Sequence, residues 1–277
     1  MTQSLLLADE TCREKNSHLF KDGCTAVIFA FLTLSYCEAK RFAIFGNVGD
    51  ARAIMGTVFI SFNDDDETNN GHSLNTLSKK NHPPIIEFEV HRMTQDHKPT
   101  VTSDHDPSEV IRIRNCGGYV INSRTMGTYG VARALGDWES RPFLSNEPHV
   151  NGCVLTCPIT TTCATTCEGN HDSNNCEQLL TTTTLSTPRT WTLEKQMIIL
   201  GCDGVWDVLS DQDVFEMTAF TWFHSNHSMT INNNNTSSIP LSSSITTHST
   251  NKVSAVIRDF AHSAGSTDNI SVIVIEL

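Results

Sequence analysis

No stretch of this 277-residue chain is apolar for long enough to cross a bilayer as a helix. The longest apolar stretch, Val27 to Leu34, has the size of a strand and is broken by Thr33, so a soluble protein with no membrane partner is expected. Positive charge is also scarce, with 19 Lys and Arg against 31 Asp and Glu and a net charge of -12. A protein that neutralises a phosphate backbone normally presents a basic face, which argues against a nucleic-acid partner. Met1 to Glu10 lacks both a basic start and a long apolar segment, so no secretory signal is read there. The ten cysteines are accordingly read as reduced thiols of an intracellular protein, cytoplasmic or nuclear, rather than as a disulfide framework. Internal repeats are missing as well.

What is present can bury a real core, since 38% of the residues are hydrophobic. Cys24 to Leu34, Arg41 to Asn47 and Ala51 to Ile60 are rich in aromatic and β-branched residues. They predict a three-stranded meander with a tight turn at Asp50. Asp106-Pro107-Ser108-Glu109 has the signature of a helix start, with Val110 and Ile113 on its inner face and Gly117-Gly118 as its stop. Ser210-Asp211-Gln212-Asp213 starts a second helix leading into Val214, Met217 and Phe220. Val253, Val256, Ile257, Phe260 and Ala261 recur at helical spacing before Gly265 and predict an amphipathic helix. Polar stretches at about 63-82, 153-188 and 224-251 have too little apolar content to repay their ordering entropy. They read as surface insertions in a single domain spanning 1-277.

Two apolar runs end on acidic turns. Lys195 to Cys202 leads into Asp203-Gly204-Val205-Trp206-Asp207, and Gly265-Ser266-Thr267-Asp268-Asn269 leads into Ile270 to Leu277. If these runs are neighbouring antiparallel strands, Asp203 and Asp268 meet at one rim of a sheet. Two carboxylates about 4 Å apart repel by roughly 4 kcal/mol at a surface-like dielectric. Relief comes from a raised pKa, a basic neighbour or a bound metal. Neither motif contains Lys or Arg, which makes a divalent cation the economical expectation. Taken singly, Asp203 also suits an Asp-Gly hairpin turn, and Asp268 or Asp50 an Asx-turn.

Four blocks in order resemble the metal-dependent protein phosphatase 2C family. They are Gly23-Cys24-Thr25-Ala26-Val27, then Gly46 to Ala53, then Gly127 to Asp137, and finally Cys202 to Val208 together with Ser266 to Val272. Asp96-His97-Lys98-Pro99, Arg112-Ile113 before Gly117-Gly118, and Glu147-Pro148-His149-Val150 support them. The resemblance implies an α+β fold, a four-layer α-β-β-α sandwich of two antiparallel sheets flanked by helices, with Mg²⁺ or Mn²⁺ at one end. It also implies hydrolysis of phosphoserine and phosphothreonine in phosphorylated protein substrates by metal-activated water. By the same resemblance Asp203 and Asp268 match metal-binding acids, and Asp50 and Asp207 match acids of a further metal position. Arg133 and Asp137 are read as fixing a core turn, Trp206 as packing beneath the metal turn, and no residue is assigned as catalytic.

The family's Asp-Gly-His-Gly-Gly motif, with its bridging metal ligand, and its early Arg are not found in these 277 residues. This leads to the expectation of an N-terminally incomplete copy of the fold, with exposed sheet edges that a partner would cover. The alternative it raises is a catalytically impaired pseudophosphatase acting as a binding or regulatory module. Cys153, Cys157, Cys163, Cys167 and Cys176, with His171 nearby, are zinc-ligating types, but their spacing is unlike the common paired-cysteine knuckle.

Overall fold

The computed structural model describes residues 1-15, 21-33, 41-61, 85-100, 107-155, 191-226 and 248-277. Helix α1 spans Thr2–Lys15 and is followed by the short β1 (Gly23–Cys24) and by β2 (Ala26–Thr33), β3 (Arg41–Val48), β4 (Arg52–Ser61) and β5 (Ile85–Arg92). Helix α2 (Ser108–Asn115), the short strands β6 (Val120–Ile121), β7 (Arg124–Thr125) and β8 (Leu135–Gly136), and β9 (His149–Leu155) come next. The chain closes with β10 (Trp191–Gly201), α3 (Asp203–Trp206), α4 (Asp211–Asn226), α5 (His248–Ser263) and β11 (Val272–Glu276). One sheet has the order β11-β10-β4-β5 and a second the order β2-β3-β9, with every neighbouring pair antiparallel.

Side-chain alternation along the central strands explains the layering. Ile54 and Val58 of β4 and Met197 and Ile199 of β10 pack with Val205, Val214, Phe215 and Ile257 of α3, α4 and α5. Their sequence neighbours Ala53, Met55, Ile198 and Leu200 instead join Ala43, Phe45 and Leu155 of the second sheet. Helix α1 lies on that sheet's outer side, where a Cβ at Gly46 would fall 2.7 Å from Met1 Sδ. It is anchored by the buried Asp9, whose carboxylate accepts from Gly136 N at 2.7 Å and from Arg141 Nη2 and Asn146 Nδ2 at 2.9 Å each. Helices, sheet, sheet and helix thus form the four expected layers.

A hole in β4 receives Phe215 of α4. A Cβ added at Gly56 would lie 2.2 Å from the Phe215 ring, which is fully buried. Gly56→Ala should therefore lower stability by about 1–3 kcal/mol through overpacking, against the gain that Gly→Ala ordinarily gives in a strand. Urea unfolding decides the sign, and a neutral or stabilised variant would remove this packing account.

Some expectations need correction. The predicted meander ends at its second strand: β2 and β3 pair, but β4 belongs to the other sheet. The Gly49-Asp50 turn carries the chain across. Gly49 adopts φ +94, and the Asn47 amide donates to Gly49 O, Ala51 O and Gln95 O, which turns the strand out of its sheet. The start of the segment expected to be an insertion from 153 is strand, because Cys153 and Leu155 belong to β9 and pack in the inter-sheet core, while 156-188 and the expected insertion at 63-82 lie outside the described residues. Helix α4 also continues to Asn226, and α5 already starts at His248. Cys157, Cys163, Cys167, His171 and Cys176 lie outside the described residues. In α5, Val253, Ile257 and Ala261 are buried, whereas Val256 and Phe260 face outward.

The helix starts agree better. Asp106 lies outside the described residues, but α2 buries Val110 and Ile113, and Gly117 at φ +84 ends it as Gly118 N donates to Ile113 O at 2.9 Å. At the head of α4, Asp213 N donates to Ser210 Oγ at 3.1 Å and Ser210 N to Asp213 Oδ2 at 3.3 Å, a reciprocal cap. Among the described residues, no helix is long and apolar enough to cross a membrane.

Candidate metal centre

Strands β10 and β11 pair in register to the rung Gly201↔Val272, and Cys202 N donates to Ser271 O at 3.1 Å just beyond it. Asp203 then opens α3, while Asp268 lies in the turn before β11. The two turns touch, since a Cβ at Gly204 would fall 2.4 Å from Asn269 O. On the other side of β10, Arg52 pairs with Gly201, which places the Asp50 turn at the same rim. Asp207 follows one helical turn after Asp203, its N donating to Asp203 O at 2.8 Å. Four acids from three segments distant in sequence are thus gathered at one end of the sandwich.

Two of them, Asp50 and Asp203, feel the charge of their neighbours. The carboxyl of Asp50 is pushed up from 3.8 to about 6, first by burial and then by the charges of Asp203 and Asp207, against the opposing pull of Lys98. Asp203 is also raised, first by burial and then by Asp207 and Asp268. Asp268 is exposed, and its Oδ1 accepts from the adjacent Asn269 N at 2.6 Å, one residue short of the Asx-turn bond.

Relief comes partly from a residue to which the sequence assigned no role. Lys98 Nζ donates to Asp207 Oδ1 at 2.6 Å and lies 3.6 Å from Asp50 Oδ2. Burial works against its charge, but the bond to Asp207 and the charges of Asp50, Asp207 and Asp96 outweigh this and raise its pKa. The reasoning that no basic group lies in the acidic motifs holds for the motifs alone. The tertiary structure brings one in from a segment distant in sequence and adds raised pKa values at Asp50 and Asp203, so a metal is one of several ways to relieve the repulsion.

Below the rim sits a buried ionic floor. Arg52 Nε donates to Asp96 Oδ1 at 3.1 Å, Nη2 to Asp96 Oδ2, and Nη1 to Asp211 Oδ1 at 2.5 Å. Arg92 Nε reaches the other Asp211 oxygen at 2.7 Å. The Arg52 guanidinium stands 5.1 Å from the Trp206 ring, whose Nε1 donates to Gly201 O at 2.8 Å. Trp206 is thus packing beneath the acidic turn, as expected, and also a cation-π partner. A charged residue opening an otherwise apolar strand, Arg52-Ala53-Ile54-Met55, was the available signal for this floor.

The remaining motif residues are structural. Glu109 is buried under Arg133 Nε at 2.8 Å and Arg112 Nε at 2.9 Å, while Arg133 Nη1 ties Glu147 O at 2.8 Å. Asp137, at φ +44, donates its N–H to Asp22 O at 2.9 Å. Arg133 therefore ties its turn to Glu109 and Glu147, whereas the bond at Asp137 is made by its backbone and not by its carboxylate.

Carboxylate oxygens are hard donors, and Mg²⁺ or Mn²⁺ is commonly held by one or two of them plus waters. Asp203 and Asp268, with Asp50 and Asp207 beside them, fit such a loosely held ion. Among the described residues no three His, Cys, Asp or Glu side chains form a ready metal cage, so the fit is to a cation that keeps much of its hydration.

The sequence matches the family model for protein phosphatase 2C over residues 1–270. Protein phosphatase 1A of Homo sapiens is 31% identical over 134 residues, which covers 45% of this chain and 25% of that protein. Protein phosphatase 2C homolog 1 of Schizosaccharomyces pombe is 26% identical over 216 residues, covering 76% of this chain and 42% of that protein. The chain thus spans well under half the length of these curated relatives. Among solved structures, a serine-threonine phosphatase 2C from Toxoplasma gondii superposes with a TM-score of 0.51 at 18% identity, over 98% of this chain and 64% of that one. A C. elegans sex determining protein superposes with a TM-score of 0.54 at 21% identity, over 99% of this chain and 45% of that one. These likenesses establish the fold.

Proposed function

Because the chain belongs to the protein phosphatase 2C family, we propose that it is a metal-dependent protein serine/threonine phosphatase acting on phosphoserine and phosphothreonine. The observation that carries this reading is the gathering of Asp50, Asp203, Asp207 and Asp268 at one rim, where the carboxyls of Asp50 and Asp203 are raised by burial and by the neighbouring acids. Asp203 and Asp268 would hold Mg²⁺ or Mn²⁺, with Asp50 and Asp207 alongside. Such an ion supplies charge to polarise a phosphoryl group and to activate water. The chain's own part is positional. Pairing of β10 with β11 and β4 sets the three acidic turns, and the Arg52 floor keeps the α3 turn and the head of α4 in place. Lys98 offsets part of the negative charge that would otherwise repel a phosphoryl group.

Hydrolysis of a phosphothreonine peptide with Mn²⁺, with and without chelator, tests the proposal. Asp203→Asn should lower the Mn²⁺-dependent rate by roughly a hundredfold, the scale of removing one preorganised transition-state contact. Turnover that survives chelation or ignores this substitution would sink the assignment. A second reading, a binding module that retains phosphoproteins without turning them over, is favoured by one feature: an ammonium already lies among the carboxylates. Peptide capture with no Mn²⁺-dependent turnover would select it.

A further inference from the structure

Resting on the metal reading above, we propose that Lys98 is a built-in counter-cation that competes with a divalent metal for Asp50 and Asp207. A metal then sits on the Asp203 and Asp268 side and binds more weakly than four carboxylates suggest. The geometry is specific. Lys98 Nζ is 2.6 Å from Asp207 Oδ1 and 3.6 Å from Asp50 Oδ2, and its side chain is mostly buried. Its backbone is held there from both directions. His97 N donates to Gly49 O at 3.0 Å, Gly49 N donates to His97 Nδ1 at 3.1 Å, and the Asn47 amide donates to Gln95 O at 2.7 Å. The segment carrying Lys98 is thus clamped to the turn carrying Asp50, unlike a lysine wandering over a surface.

A protonated amine has no lone pair to offer a metal, so Lys98 acts on a cation only through repulsion and through the oxygens it occupies. Asp207 engaged at 2.6 Å can ligate an ion only if the ammonium moves away. The two cations therefore share one acidic rim at each other's expense.

Titration of Mn²⁺ into the full chain, followed by calorimetry and by the electron paramagnetic resonance of free Mn²⁺, tests this without any activity assay. K98M should bind Mn²⁺ more tightly by about tenfold or more, equivalent to about 1.4 kcal/mol. K98R, which keeps the charge, should stay near wild type. K98Q removes the charge but leaves a donor for Asp207, and serves if K98M does not fold. Asp203→Asn marks the site and should abolish binding in every background. Equal affinity in wild type, K98M and K98Q, all lost with Asp203→Asn, would overturn the role of Lys98 and leave the metal reading standing. No binding in any of the chains would overturn both.

Discussion

Arg52→Met is expected to cost about 3–5 kcal/mol of folding stability, the range for breaking a buried ion pair from one side. Met fills much of the same volume, so the loss is electrostatic rather than a cavity. Arg52 and Asp96 side chains are 7% and 3% exposed, and Asp96 makes its only ion pair among the described residues with Arg52. Removing the guanidinium strands that carboxylate away from water. It also frees Asp211 from one of its two arginines and Trp206 from its cation. In a domain of this size the midpoint of thermal unfolding should fall by on the order of 10 °C. Arg52→Lys should recover little, because a single ammonium cannot reproduce the fork that spans Asp96 and Asp211. The double variant R52M/D96L should recover more than half, since replacing both charges removes the desolvation penalty together with the attraction. Measured by urea unfolding, a loss below about 1 kcal/mol for Arg52→Met would show that the floor is not a buried pair in solution.

The second large effect is a stability that falls with acid through His97. This ring is fully buried, and its pKa is pushed down from 6.5 to about 3, first by burial and then by the charge of Arg133. Its Nδ1 accepts the Gly49 N–H at 3.1 Å, a bond that only the neutral ring can make there. The unfolded chain takes up this proton near pH 6.5, and the folded chain takes it up only near 3. Between those limits the unfolded state binds more protons, so the His97 contribution is complete above the upper limit and is lost as pH falls. The slope is about 1.4 kcal/mol per pH unit at most, or on the order of 3–5 kcal/mol across the window.

Asp50 works in the opposite sense. Its folded pKa of about 6 lies above 3.8, so the folded state takes up its proton first, which adds stability as pH falls through that range and flattens the raw profile. Glu109 adds an acid loss of its own at the lower end: burial raises its pKa, but Arg133 and Arg112 outweigh that and lower it. Comparison with His97→Asn isolates the ring, because Asn can still accept from Gly49 N but does not titrate. Wild type should lose stability relative to this variant as the buffer is taken from about pH 6.5 to about pH 4. Parallel profiles over that range would mean that His97 is not held neutral.

The local elements were legible because their causes are local. The apolar face of α5, the reciprocal cap before α4 and the glycine stop after α2 each depend on residues within one or two turns. The order of short motifs likewise pointed to the family and to Asp203 and Asp268, since the ends of two apolar runs could be matched without coordinates. Three things were decided only by the tertiary structure. Strand β4 left the sheet of β2 and β3 because the Asn47 amide bonds to both sides of the Gly49-Asp50 turn and to Gln95. Cys153 proved to be half-buried core because β9 pairs with β3. Lys98 came to rest between Asp50 and Asp207 because the segment after β5 is clamped to that same turn. A carboxylate announces a charge in the sequence, but its counter-ion is chosen by whichever segment the fold carries past it, and at a few ångströms' separation that choice sets its energy.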